Sequence, residues 1–304
     1  MISSRWAAHR PVVKACRRQR LWPPVTSAFR SPAHFNRAEI IAQTVVCNIK
    51  MTNPYKKHLD NFFETVTDFK HTSNRLNKVL LKDVEKYTAE GARYFSGTSL
   101  VIGDWSGPTD NGWKLNFHTG IQKSTFKENY SNEIEKVLSR EFGLAYSQCY
   151  EAFETLLKDF INVKILSDQN FREGLPANKD YSRERLRGGD HIFKLVKKAG
   201  GKRFKNYSNQ NNNNFRFGET FKVFSEIRHA ITHSQGVLNS SKIPQDKYYQ
   251  GLFEHLLPLN KLDDDSILLK FDYKTLDRLL IYLSEFGYQV FKILSEEDKY
   301  EWKI

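Results

Sequence analysis

The sequence predicts a mainly α-helical protein, and three observations carry that expectation. Beyond Met51, apolar residues recur every three to four positions in most stretches, the period that gives a helix one buried face. Helix-start signals precede the first and last of these stretches, as Asn53-Pro54 and as Asp272. Only residues 94–121 carry β-favouring runs around a cluster of turn formers.

In chain order, Leu59, Phe62, Phe63, Val66 and Phe69 predict a helix from about Pro54 to Lys70. Leu76, Val79, Leu80 and Val84 predict a second, from about Ser73 to Glu90. Leu100-Val101-Ile102 and the run from Trp113 to Phe117 flank the turn-rich Gly103 to Gly112, which reads as a hairpin or long loop. Trp105 and Trp113 there either line a small pocket or cover the neighbouring helices, and the second role is favoured. From Ser131 a long helix is expected, with Asn132 and Glu135 spaced as a capping box and Gly143 as a bend. His191 to Lys198 reads as a short helix between Gly188-Gly189 and Gly200-Gly201, and Asn206 to Asn214 as a flexible loop. A helix capped by Asp272 closes the chain, its Leu and Phe face wide enough for two helices or a second subunit.

The chain has 304 residues, 39% hydrophobic and 27% charged, enough for one large domain or two small ones. No segment approaches the roughly 20 apolar residues that span a bilayer, so no membrane partner is expected. Three cysteines, Cys16, Cys47 and Cys149, form no CxxC pair and no even set, which fits a reducing compartment such as the cytoplasm. The net charge of +12 is uneven: residues 1–50 hold +8 of it, with seven Arg to two Lys, whereas the rest has eleven Arg to twenty-seven Lys. Residues 1–50 therefore read as a disordered basic extension, either an organelle presequence or sequence upstream of a start at Met51. The coincidence of Met51 with the composition change favours the second. Residues 51–127 then form a front helical region with the hairpin or loop, and 128–304 the main helical domain.

The chemically richest stretch is Arg228-His229-Ala230-Ile231-Thr232-His233. It ends the run FGETFKVFSEIRHAITHSQG, in which Phe217, Phe221, Phe224, Ile227 and Ile231 make one apolar stripe and Gly236 supplies a stop. On such a helix His229 and His233 share a face, whereas Arg228 and His233 lie about 140° apart around the axis.

An Arg, a polar residue, three further residues and a His, late in an amphipathic helix of an all-helical domain, resembles the signature of HEPN domains. Arg228 matches the family's Arg, His229 its polar neighbour and His233 its His; the resemblance covers roughly Asn129 to Ile304 and nothing before Lys127. It implies a HEPN-like helical bundle that dimerises with its motif helices facing across a shared cleft. Many of these domains are metal-independent endoribonucleases of toxin modules and phage-defence systems, and others have lost catalysis. It thus implies no cofactor and no metal, RNA as partner, a homodimer, and an antitoxin or defence partner. Glu151 or Glu154 on the preceding helix would be the orienting acid, as related domains place an acidic residue there.

Residue chemistry leaves three readings of Arg228 and His233. They can be solvated residues at a helix end, where cations gain about 0.3 to 1 kcal/mol from the dipole. His229 and His233 at i, i+4 have zinc-ligand spacing, yet no Glu follows the first His and a third ligand would have to be His191, His255 or a distant carboxylate. In RNA cleavage by transesterification, a histidine with a reference pKa of about 6.5 shuttles protons and a guanidinium stabilises the phosphorane. His233 is then base or acid, Arg228 the clamp, and His229 an orienting or proton-sharing group. Residues 183–205 carry a local +7, from which Lys194, Lys197, Lys198, Lys202 and Arg203 are expected to track the RNA backbone. Phe193, Phe204 and Tyr207 among them are expected to stack bases, and single-stranded RNA is the favoured target.

Overall fold

A computed structural model describes residues 52–105, 116–244, 246–261 and 266–303. The basic extension, Cys16, Cys47, Met51, Trp113 and the centre of the turn between the two β-favouring runs lie outside the described residues. Residues 51–304 form one compact unit, and it is mainly helical. Among the described residues, no helix is long and apolar enough to cross a membrane.

The front of the unit is one helix, α1 (Lys56–Thr88), where the sequence predicts two. The polar run around His71-Thr72 contains neither Gly nor Pro, so local propensity does not end the helix, and Ser73 is buried. Asn53 accepts the Tyr55 N–H at 3.0 Å, and its amide donates to Ser295 Oγ at 2.8 Å. Tyr55 donates to Asp298, which also receives Lys164, so both ends of the unit meet at one carboxylate that is 13% exposed. Burial alone would lower the Lys164 pKa, but Asp168 and Asp298 outweigh it and raise it.

After α1 comes an antiparallel hairpin, β1 (Phe95–Gly103) and β2 (Asn116–Phe126). Tyr87, Tyr94 and Tyr130 root it, with centroids 4.2 to 5.5 Å apart. Trp105 is 96% exposed and covers no helix. The long helix α2 (Tyr130–Ser167) runs unbroken, and the expected capping box does not form: the helix starts at Tyr130, so Asn132 lies inside its first turn, and Glu135 pairs with Lys270. Gly143 faces Ile231 without bending the helix, and a Cβ there would make an ordinary contact with it at 3.4 Å. A short α3 (Gln169–Glu173) follows.

The expected short helix around His191–Lys198 continues as α4 (Asp190–Asn209), with a kink at Gly201 (φ 47°, ψ −129°) that glycine alone accepts easily. The Asn-rich segment is not a free loop. Asn211 donates to the Tyr207 and Phe215 carbonyls at 3.0 and 2.8 Å and accepts the Phe215 N–H at 3.0 Å, forming a side-chain-built turn. The motif helix α5 (Phe217–Ser234) stops where Gln235 and Gly236 adopt positive φ.

Between α5 and the last helix lie a small three-stranded sheet and a helix: β3 (Val237–Asn239), α6 (Lys247–Leu256), β4 (Leu259–Lys261) and β5 (Ser266–Leu269), in strand order β3-β5-β4. The last helix, α7 (Tyr273–Glu297), buries its apolar face against α1, α2 and α4 of the same chain. Asp272 caps α7, accepting the Thr275 N–H at 2.7 Å. Burial alone would raise the Asp272 pKa, but its hydrogen bonds to Thr275 outweigh this and hold it below the usual carboxylate value.

Because the folded pKa of Asp272 is depressed, its contribution is present above the unfolded value of 3.8 and is lost as pH falls through the folded one. Asp272→Ala should lower the unfolding free energy by about 1 kcal/mol at neutral pH. Urea titrations should show that deficit shrinking in acid, and an equal deficit at both pH values would contradict the cap.

Candidate functional site

The site is built on α5, and packing decides which of its residues reach solvent. Phe217, Thr220, Phe221, Val223, Phe224, Ile227 and Ala230 are buried, so the opposite stripe of Lys222, His229 and His233 must face out. Phe221 lies 6.3 and 6.4 Å from the Tyr150 and Phe153 rings of α2 and stacks at 4.5 Å on Phe193 of α4. Tyr146 Oη donates to the Phe224 carbonyl at 3.0 Å, which pins the middle of α5 to α2.

The two imidazoles pair on the outer stripe, ring centroids 4.8 Å apart. Both are exposed. Arg228 leaves the helix toward α2 instead, where one guanidinium nitrogen donates to Glu151 Oε1 at 3.0 Å. Arg228 is 29% exposed at its side chain and its Nε is buried without a hydrogen-bond partner. Thr232 Oγ1 bonds back to the Arg228 carbonyl at 3.0 Å, tying that turn to the helix backbone.

The two candidate acids part company here. Glu151 meets Arg228, whereas Glu154 turns one residue-turn along α2 to accept the Gly189 N–H at 2.6 Å. Gly188 lies against it: a Cβ there would sit 2.7 Å from the Glu154 carboxylate, which would have to shift. Glu154 thus fixes the start of α4.

Several residues around Arg228 were not legible as a group in the sequence. Burial raises the Tyr150 hydroxyl pKa, Glu154 adds to this, and Ser225 and Arg228 oppose it, so α2, α4 and α5 share one electrostatic neighbourhood that also includes Asp190. Tyr150 Oη, His191 Nδ1, Glu226 Oε2 and Arg228 Nε are buried without a well-formed hydrogen bond. An unsatisfied buried polar atom costs about 1 to 3 kcal/mol. Tyr150, Glu154, Asp190, Ser225 and Arg228 come from three separated segments, so only three-dimensional packing groups them. Cys149 is close in sequence but chemically quiet: burial pushes its thiol pKa up to about 12.

The basic stretch divides. Lys194, Lys197, Lys198, Lys202 and Arg203 are all exposed on α4. Arg203 pairs with Glu297 at 3.1 Å and Glu296 at 3.6 Å, and Lys198 donates to the Gly174 carbonyl. Lys194, Lys197 and Lys202 have no ion pair among the described residues. The expectation that Phe193, Phe204 and Tyr207 stack bases is corrected by packing: Phe204 is buried, Phe193 lies between Phe204 and Phe221, and Tyr207 donates to Glu296 beneath Lys292. Among the described residues no group of three His, Cys, Asp or Glu side chains is placed to hold a metal, so His229 and His233 gain no third ligand from His191 or His255. His255 instead meets the Tyr282 hydroxyl at 2.8 Å.

The two acids should separate in stability measurements. Glu151→Ala removes a half-exposed ion pair worth less than about 1 kcal/mol, whereas Glu154→Ala removes a charge-assisted bond to a backbone N–H worth about 1.5 to 3 kcal/mol. Thermal melts in which Glu151→Ala is the more damaging would contradict this division. No family model, curated protein or solved structure matches the chain.

Proposed function

We propose that the protein is an endoribonuclease acting on single-stranded RNA through Arg228, His233 and His229. The observation that carries this reading is the guanidinium held by Glu151 at the seam of α2 and α5, within a turn of an exposed imidazole pair. In the reaction, His233 removes the proton from a ribose 2′-hydroxyl and the oxygen attacks the neighbouring phosphorus. The bond to the 5′-oxygen breaks, and that oxygen takes a proton from the second imidazole, His229. Histidine suits both transfers because its ordinary pKa lies near neutrality. Arg228 stays charged throughout and neutralises the oxygens of the five-coordinate intermediate.

Arg228 points toward α2 and the imidazoles point outward, about 100° (His229) and about 140° (His233) around the helix from it. A second chain whose α5 faces the first brings an Arg228 and a His233 to one phosphate, so the active form is a homodimer. Lys194, Lys197 and Lys202 hold flanking phosphates. The same divergence supports a second reading, a catalytically silent RNA-binding or dimerisation module, in which the imidazoles contact RNA without cutting it. A toxin or defence role, with an antitoxin or trigger as partner, rests on the HEPN-like motif alone.

Labelled single-stranded RNA incubated with the protein in EDTA should be cut, and Arg228→Ala and His233→Ala should each lower the rate at least about 100-fold, the usual worth of one proton-transfer or charge-stabilising group. RNA retained but uncut by the wild-type protein would replace the nuclease with the binding module. Cleavage that needs added metal would overturn both.

A further inference from the structure

The hairpin β1–β2 exposes more apolar surface than the rest of the described chain. Of the thirteen large hydrophobic side chains exposed among the described residues, eight lie on or beside the hairpin, from Phe95 to Phe126. They include Phe95 at 65%, Leu100 at 57%, Trp105 at 96% and Ile121 at 66%. With large side chains presenting up to 150 to 250 Å² each, the group offers on the order of 1,000 Å². One partner in a standard stable interface contributes about 800 Å², and here a similar area is divided between the two faces of the ribbon, because successive strand residues alternate.

The two edges of the hairpin differ. From Ser99↔Gln122 to Val101↔His118, β2 spends three residues where β1 spends one, and Gly120 takes φ +76° in that bulge. Together with Lys123, this guards the β2 edge against further pairing. The β1 edge has no such guard: Phe95–Gly103 contains no charge and no proline, and every residue of it is exposed. A two-stranded ribbon is marginal in water, and added strands stabilise it.

We infer that β1 is a self-pairing edge, joining antiparallel to β1 of a second copy of this chain to make a four-stranded sheet. Its chemistry selects that occupant. An uncharged strand has no cation for an RNA phosphate and none of the basic face that anchors a membrane-surface segment. Against its own copy it meets no like charge, and a two-fold axis closes the sheet with the guarded β2 strands at both outer edges. Use of all nine residues puts the axis at Ser99, so Thr98 lies opposite Leu100 of the copy. This interface is separate from the α5 contact of the proposed nuclease and does not rest on it.

Sedimentation equilibrium of the full chain tests the pairing. Thr98→Lys/Leu100→Lys and Thr98→Glu/Leu100→Glu should each lose one step of association, halving the mass and weakening the step at least tenfold, while Gln122→Lys on β2 leaves it intact. Mixing the Lys and Glu variants should restore the step as a mixed pair, which also shows that both remain folded. Wild-type protein without an associated state, double variants with unchanged mass, or a mixture that fails to re-pair would each overturn the inference. Arg228→Ala and His233→Ala should leave this step unchanged.

Discussion

The buried stripe of α5 fixes everything outside it. Phe221, Phe224 and Ile227 are almost fully buried, and each such side chain gains about 1.5 to 3 kcal/mol by leaving water. Rotating the helix to carry His229 or His233 inward would expose that stripe and bury imidazoles in its place. The Tyr146–Phe224 hydrogen bond and the rings of Tyr150, Phe153 and Phe193 hold α5 at one angle. Arg228 must then emerge at the α2 seam, and the imidazoles must emerge on the open face.

That constraint divides the carboxylates and the cations into separate tasks. Glu154 is committed to the backbone at Gly189 and so to the placement of α4, while Glu151 holds the one guanidinium of the motif. On α4, Arg203 and Lys198 are engaged within the fold, and Lys194, Lys197 and Lys202 extend their ammonium groups to solvent. Tyr150, His191, Glu226 and Arg228 on α2, α4 and α5 each keep a buried polar atom without a hydrogen bond.

Much of this was legible from periodicity, and the failures have physical causes. The helical stripe around Arg228, the Asp272 cap and the hairpin all announce themselves in local pattern. The break expected near His71 does not occur because a polar run without Gly or Pro leaves a helix free to continue. The Asn-rich turn looked like low complexity, yet one of its side chains, Asn211, builds the turn by binding backbone groups on both sides. Strands of three or four residues such as Val237–Asn239 and Ser266–Leu269 are too short to show a period, and α6 was hidden between them. The pairing of Arg228 with Glu151 rather than Glu154 depends on the rotation of α2 against α5, which no spacing within either helix encodes. The aromatic residues of α4 misled for the same reason, since adjacency to lysines says nothing about which face is buried.

The central claim is that the α5 surface transfers an RNA phosphate to its own ribose. Mass spectrometry of the fragment ends tests it most directly. Transesterification by His233 and Arg228 gives a 2′,3′-cyclic phosphate on one fragment and a 5′-hydroxyl on the other. A 5′-phosphate opposite a free 3′-hydroxyl would show water attacking instead, and would contradict the account.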